Sequence, residues 1–259
     1  MIKFRSLVLF LLAIVFIVSC SKDSSEETGS GGVNRTANLK SLGSSASDLL
    51  NDATFTSLNI EIVYVEGNRP TDEALRLFSD FLQKRIFKPD GIEITVRSVN
   101  SSGQAPFNID EIVEIENEER TAYNVGDEIA VWIYFADGSN EKDTDEKFIL
   151  GSAFRNTSMV IYERTIRQFA NRAGTPDRAI VEAATLNHEF GHLFGLVDLG
   201  IEPVSDHEDP DNEGHCVVNA CLMRASIEFG NGVLNVIDGG GTPALDDACI
   251  LDLQSAGGR

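Results

Sequence analysis

Residues 188–198 read HEFGHLFGLVD, and this stretch decides how the rest of the chain is interpreted. Side chains four residues apart share a face of a helix, so His188 and His192 can offer their imidazoles to one metal ion. Glu189 follows the first of them, where its carboxylate can reach a water molecule on that metal rather than the metal itself. Gly195 can end the helix, and Asp198 then follows where a further ligand is needed. The pattern indicates a helix that holds a catalytic metal ion.

This helix resembles that of the metzincin zinc peptidases, whose pattern is HExxHxxGxx followed by His or Asp, with a methionine-containing turn further along the chain. The acid in third place is similar to the snapalysin type. Residues 216–223 read CVVNACLM, and this C-x4-C-x-M run resembles the run around the methionine of archaemetzincins. The resemblance covers residues 145–225. It departs from archaemetzincins because an insertion separates the two motifs and a later C-x-x-C is missing.

The resemblance implies an α/β fold: a twisted mixed sheet with a crossover helix, a zinc-binding active-site helix and a Met-turn. It implies a zinc-dependent endopeptidase in which Glu189 is the general base and Met223 packs beneath the zinc site without binding the metal. The family often has a tyrosine just beyond the methionine that steadies the oxyanion. Here Arg224 stands in that place, so either the arginine takes an electrostatic role or the contribution is absent.

The third zinc ligand has three candidates. Asp198 has the position that metzincin geometry requires, and a carboxylate oxygen is an acceptable zinc ligand. His207 and His215 compete with it because imidazole is a better partner and the insertion after the helix must fold somewhere. We expect Asp198 first, then His207 and then His215.

The other end of the chain resembles a bacterial lipoprotein. Residues 1–19 carry two basic residues and an apolar run too short for a comfortable membrane span, and residues 17–20 (IVSC) resemble a lipobox. We therefore expect a signal peptide at 1–19, a lipidated Cys20 with a flexible tether over 20–40, and one zinc metallopeptidase domain over 41–259. Acidic residues after Cys20 resemble surface-export signals, which indicates the bacterial outer membrane and its exposed face.

With Cys20 assigned to lipid, three cysteines remain, and an odd number cannot all pair within the chain. A disulfide is plausible outside the cytoplasm, and Cys216–Cys221 is our first prediction. Cys249 bonded to either of them is the alternative. A second, structural zinc held by the three cysteines and His215 is suggested only by the archaemetzincin resemblance.

The formal charge of −20 argues against binding nucleic acid or an anionic membrane surface by charge. We expect a monomer that acts on peptide or protein substrates. The alternative function is a non-catalytic surface lipoprotein that binds peptide or glycan and keeps zinc only as structure.

Hydrophobic periodicity predicts strands over 58–64, 92–97, 129–135, 148–154 and 159–162, and helices over 71–87, 108–120 and 243–254. The strand over 58–64, the helix over 71–87 and the strand over 92–97 follow one another along the chain. This order implies a parallel pair of strands with a right-handed crossover. The run 129–135 is apolar throughout, which is typical of a central strand. We predict that Thr175 caps the zinc helix, with Pro176 in its first turn. The strand over 148–154 is our candidate to pair with an extended substrate.

Overall fold

The computed structural model describes residue 33 and residues 35–145, 147–228 and 241–259. A short 3-10 helix (Arg35–Asn38) comes first. The elements that follow are α1 (Ala46–Leu50), β1 (Ser57–Val65), α2 (Asp72–Arg85), β2 (Gly91–Val99), α3 (Ile109–Glu119), β3 (Glu128–Phe135), β4 (Gly151–Arg155), β5 (Ser158–Ile161), α4 (Glu163–Ala170), α5 (Arg178–Leu193), α6 (Ala225–Glu228) and α7 (Asp247–Ser255).

The five strands form one sheet in the order β2-β1-β3-β5-β4. Neighbouring strands are parallel except at the edge, where β4 runs antiparallel to β5. The predicted parallel pair of β1 and β2 is present, and β3 is the central strand, as its unbroken apolar run predicts. The predicted α/β class with a mixed sheet is therefore confirmed.

Side chains of β3 alternate between the two faces of the sheet and contribute to two separate cores. Trp132 and Tyr134 join the smaller core with α3. The side chains on the other face join the larger core with α2 and α5; they are Ile129, Val131, Ile133 and Phe135. On this larger side, Phe78 of α2 meets Phe190 of α5 with ring centroids 5.4 Å apart. Helix α5, which carries His188 and His192, thus packs against both the sheet and α2. Such packing is what a precise ligand geometry requires.

Both ends of α5 are fixed by local hydrogen bonds. Asp177, rather than the predicted Thr175, is the N-cap, and its carboxylate accepts from the Ala179 N–H at 2.9 Å. At the other end Gly195 has φ of 74°, and the Leu196 N–H reaches the Gly191 carbonyl at 3.2 Å. This left-handed glycine cap ends the helix as the sequence predicts.

The folded domain begins earlier than the predicted boundary at residue 41. Asn38 is buried, and its amide nitrogen donates to Ala130 O at 2.9 Å and to Asn124 Oδ1 at 2.7 Å. The end of the predicted tether therefore packs on the sheet. The signal peptide and Cys20 lie outside the described residues. None of the helices in the described part of the chain has the length and apolar character of a membrane span.

Candidate metal centre

The two histidines of α5 meet inside the protein. His188 and His192 are buried, and their Nε2 atoms lie 3.1 Å apart. The His188 Nδ1 atom is 2.7 Å from the Leu222 carbonyl, so it donates its proton there and leaves the lone pair on Nε2. The structure thus brings together the first two predicted ligands and orients one of them.

His215 supplies the third imidazole. Its ring centroid lies 5.3 Å from that of His188 and 5.1 Å from that of His192. Its Nδ1 atom is 3.1 Å from the Glu213 carbonyl, which fixes the ring orientation. The Asp209 N–H donates to the His215 carbonyl at 2.7 Å, so the loop closes on itself and presents the ring to α5.

This arrangement corrects the prediction for the third ligand. Asp198 is exposed and lies outside the cluster of potential ligands formed by the three histidines and Glu228. Val197 and Asp198 both have positive φ, of 56° and 61°, and the buried Val197 side chain is the one that faces the core. Because the turn buries Val197, the next side chain points to solvent.

Glu189, the predicted base, lies in a buried position beside edge strand β4. Its Oε2 accepts from the Ala153 N–H at 2.8 Å, whereas its buried Oε1 has no hydrogen-bond partner among the described residues. Gly151 leaves room for this side chain, because a Cβ there would lie 2.7 Å from Glu189 Cγ. Burial, reinforced by the carboxylate of Glu228, holds the pKa of Glu189 well above its usual range.

Met223 lies against α5, the helix that carries His188 and His192. It is fully buried, and a Cβ on Gly191 would come within 2.3 Å of its Sδ atom. Arg224 does not face the metal centre: its guanidinium pairs with Asp209 at 3.0 Å and donates to the Val217 carbonyl at 2.9 Å. The contacts therefore favour the second alternative, in which the oxyanion contribution is absent, and Arg224 instead holds the loop that carries His215.

The three imidazoles fit a zinc ion. Tetrahedral zinc with Zn–N bonds of about 2.0–2.1 Å places two nitrogens roughly 3.3 Å apart, close to the 3.1 Å between His188 and His192. Burial, together with the nearby His215, lowers the pKa of His188 to about 3. Burial also lowers the pKa of His192, with the two other histidines adding to the effect. Both rings are therefore neutral at pH 7, which is the form that binds metal.

Glu228 is the member of this cluster that sequence reasoning missed. Its Oε2 lies 2.9 Å from His215 Nε2, and its side chain is 17% exposed. No motif includes it, because it stands on the four-residue helix α6 and reaches the site only through the fold.

A second group of potential ligands surrounds His207. The His207 Nδ1 atom lies 3.4 Å from Cys216 Sγ and 4.0 Å from Cys249 Sγ, and the Sγ atoms of Cys221 and Cys249 are 3.6 Å apart. The His207 Nε2 atom is 2.7 Å from the Asp252 carboxylate, an arrangement that orients a ligating histidine. Three sulfurs and one imidazole nitrogen are a donor set of structural zinc sites.

This second group corrects two predictions. Cys216 and Cys221 are free thiols in the structure, as is Cys249, so the predicted disulfide is absent. The thiols of Cys216 and Cys249 lie beside His207, not beside the predicted His215. The potential ligands here also include the Asp246 carboxylate, whose Oδ1 lies 3.4 Å from Cys221 Sγ. Hydrogen bonds from the Cys221 and Cys249 thiols lower the pKa of Cys216, which favours the thiolate that a metal requires. His207, the other candidate for the catalytic zinc, therefore belongs to this second group.

The chain is a mixed α/β domain with a five-stranded, mostly parallel sheet and a buried group of histidines. Comparison with solved structures finds archaemetzincin from Methanopyrus kandleri with a TM-score of 0.51 and 16% identity, over 78% of this chain and 96% of that one. Metalloproteinase-II from Bacteroides fragilis is 13% identical with a TM-score of 0.43, and the match spans 80% of this chain but only 55% of that one. No protein-family model and no curated protein matches the sequence. At 16% identity the likeness to archaemetzincin describes the fold.

Proposed function

We propose that the chain is a zinc-dependent endopeptidase. The observation that carries this proposal is the convergence of His188, His192 and His215 beside the buried carboxylate of Glu189. The three histidines would hold the ion, which lowers the pKa of the water it binds and polarises the scissile carbonyl. This proposal replaces Asp198 with His215 as the third ligand.

Glu189 would accept the proton of the attacking water and deliver it to the leaving amine. Its Oε2 is held by the Ala153 N–H at 2.8 Å, which leaves Oε1, without a hydrogen-bond partner among the described residues, as the oxygen that would take the proton. The raised pKa of Glu189 suits this work, because a base that later acts as an acid needs a pKa nearer neutrality than a surface carboxylate has.

Edge strand β4 would bind the substrate. It is the antiparallel edge of the sheet, and the Glu189 carboxylate lies directly beside it. An extended peptide that adds to this edge would gain main-chain hydrogen bonds and would lie across the base.

Glu189→Gln tests the mechanism. The amide oxygen can still accept from the Ala153 N–H, so the fold and the zinc content are expected to remain, while turnover of a casein substrate falls by about 10²–10⁴-fold. Zinc content, melting temperature and turnover are measured on the same preparation. Turnover close to that of the wild type would show that Glu189 is not the base.

The second group would hold a structural zinc through Cys216, Cys221, Cys249 and His207. All four residues are buried, which fits a closed site in which every ligand comes from a side chain. Asp252 would orient His207 through the Nε2 hydrogen bond.

A different function is favoured by one observation. Glu228 brings a fourth potential ligand atom to the histidine centre, and four protein ligands are typical of structural zinc. The chain would then be a non-catalytic lipoprotein that binds peptide or glycan. Zinc-dependent cleavage of casein that is lost in Glu189→Gln separates the two functions.

We also propose that the protein is a monomer anchored to the bacterial outer membrane by lipid on Cys20. The lipobox-like residues 17–20 support this proposal. Cys20→Ser is expected to move the protein from the detergent phase to the aqueous phase, and mass spectrometry of the wild type should find the modified Cys20 as the first residue. An unmodified N-terminus at any other residue would contradict the anchor.

A further inference from the structure

Glu228 brings a carboxylate into the histidine centre from a separate element. Its Oε2 lies 2.9 Å from His215 Nε2, and the potential ligand atoms of Glu228 and the three histidines all lie within 4.8 Å of one another. The carboxylate is therefore as much a part of this centre as the imidazoles are.

The Glu228 carboxylate and the His215 ring lie so close together that a cation or a proton is needed between them. The His215 Nδ1 atom faces the Glu213 carbonyl at 3.1 Å, and since a carbonyl only accepts, Nδ1 carries the hydrogen. In the neutral ring the Nε2 atom then presents a lone pair to the carboxylate oxygen. Two acceptors at 2.9 Å repel each other unless a positive group lies against both of them.

Zinc would satisfy both groups at once. A catalytic zinc ion has three protein ligands and keeps its fourth position for water or substrate. His188, His192 and His215 would account for three positions, and the Glu228 carboxylate, whose ligand atom lies within 4.8 Å of theirs, would supply the fourth.

We propose that Glu228 is a fourth side-chain ligand that closes the metal centre, and that it must leave before a peptide can be hydrolysed. This proposal rests on the peptidase function proposed above, because an enzyme with its fourth position filled is latent. It also assigns Glu228 to regulation and leaves the role of base to Glu189.

The contacts of α6 indicate how the carboxylate would be released. The Glu228 carbonyl accepts from the Leu150 N–H at 2.9 Å, and Leu150 directly precedes edge strand β4. A peptide that adds to this edge would compete for the same end of the strand. Substrate binding at β4 would then loosen α6 and withdraw the Glu228 carboxylate from the metal.

Zinc affinity and the binding of a small zinc ligand test the proposal without relying on turnover. The proteins are the wild type, Glu228→Gln, Glu228→Asp and the matched control Glu202→Gln, which removes the same charge at an exposed position. Glu228→Asp keeps the charge but shortens the side chain by one methylene, and it serves if the glutamine variant folds poorly. Zinc affinity is measured against a competing chelator, and acetohydroxamate is titrated into the zinc-loaded proteins.

Both Glu228 variants are expected to bind zinc about 10-fold more weakly or worse, since an anionic ligand is lost or retracted. They are expected to bind acetohydroxamate about 10-fold more tightly, since the fourth position is vacated, while Glu202→Gln matches the wild type. Unchanged zinc affinity, or unchanged acetohydroxamate binding, in both variants overturns the proposal.

Casein turnover, measured in parallel, separates this proposal from the peptidase function. If the affinities for zinc and for acetohydroxamate shift as expected and no protein cleaves casein, Glu228 is a ligand but the proposed peptidase function is wrong. If the wild type cleaves casein and neither constant shifts, the function stands and the Glu228 ligand fails. Turnover lost in Glu228→Gln with an unchanged zinc affinity would also overturn the proposal, because it would place Glu228 in the reaction itself.

Discussion

His215 reaches the metal centre through a loop whose own hydrogen bonds hold its shape. The Gly214 N–H donates to the Glu208 carboxylate at 2.7 Å, and Arg224 pairs with Asp209 at 3.0 Å. These contacts fix the loop on both sides of His215. The proposed third ligand, His215, is therefore positioned by an element outside α5, and its loss should leave that helix intact.

His215→Ala is expected to lower zinc affinity at the histidine centre by about 100-fold or more, because a direct ligand is lost and even outer-shell partners contribute about 10–100-fold. Asp198→Ala is the control: its side chain is exposed and outside the cluster, so affinity should remain that of the wild type. Zinc titration against a chelator measures both. A large loss in Asp198→Ala would restore the carboxylate as the third ligand.

Whether a residue of the site could be predicted depends on how far along the chain its neighbours in the site lie. His188, Glu189 and His192 could be predicted because one helical turn places them together. His215 was ranked last among the candidates and Glu228 was not named, because their places depend on the loop after α5 and on α6. The exposed Asp198 shows the limit of spacing alone: it stands at the expected number of residues, but a turn with positive φ directs it to solvent.

At the scale of elements, a buried acidic cluster joins the zinc helix to its neighbours. Arg178, the first residue of α5, pairs with Glu163 of α4 and with Glu182 of α5, each at 2.7 Å. Glu182 also accepts from the N–H and hydroxyl of Thr71, the N-cap of α2. One arginine cannot neutralise two buried carboxylates, so one of them holds a proton in the folded protein and this junction is sensitive to pH.

Glu163→Gln should flatten the dependence of stability on pH. Burial, with the charge of Glu182 adding to it, raises the pKa of Glu163 from 4.5 to about 9. The folded protein therefore holds a proton that the unfolded chain releases, and the free energy of unfolding falls as pH rises through this window. The slope from this group is at most about 1.4 kcal/mol per pH unit, and the glutamine removes it.

Urea unfolding of the wild type and Glu163→Gln at several values between about pH 5 and 9 measures this slope. Glu114→Gln, at an exposed position on α3, is the matched control and should retain the dependence of the wild type. Parallel curves for the wild type and Glu163→Gln would show that Glu163 is ionised throughout.

Helices and strands were predicted well where the hydrophobic periodicity is strong. The start of a helix was predicted less well where a local N-cap sets it. The alternating strands over 58–64 and 92–97 and the helix over 71–87 are present as β1, β2 and α2, with ends shifted by one or two residues. The N-cap of α5 is Asp177 and not the predicted Thr175, because the Thr175 hydroxyl donates instead to the Ala170 carbonyl at 2.9 Å. Both residues suit a cap, and the preceding turn selects between them.

At the scale of the whole molecule, the group around His207 joins the C-terminal helix to the loop of the metal centre. Cys249 lies on α7, whereas Cys216 directly follows His215, and Cys221 lies two residues before Met223. These parts are distant in sequence, and the resemblance alone suggested a metal among the cysteines. Zinc held there would brace the loop that presents His215 to α5.

Cys249→Ser tests this role of the second group. The variant is expected to bind one zinc ion instead of two, and its Tm should fall by roughly 10 °C, which corresponds to about 3–5 kcal/mol in a domain of this size. Leu251→Ser, at a half-exposed position on the same helix, is the control and should keep both ions. Metal analysis and thermal unfolding are measured on both proteins. One zinc ion in the wild type, with an unchanged Tm in Cys249→Ser, would show that the three thiols pack without a metal and that the loop carrying His215 is held by its own hydrogen bonds alone.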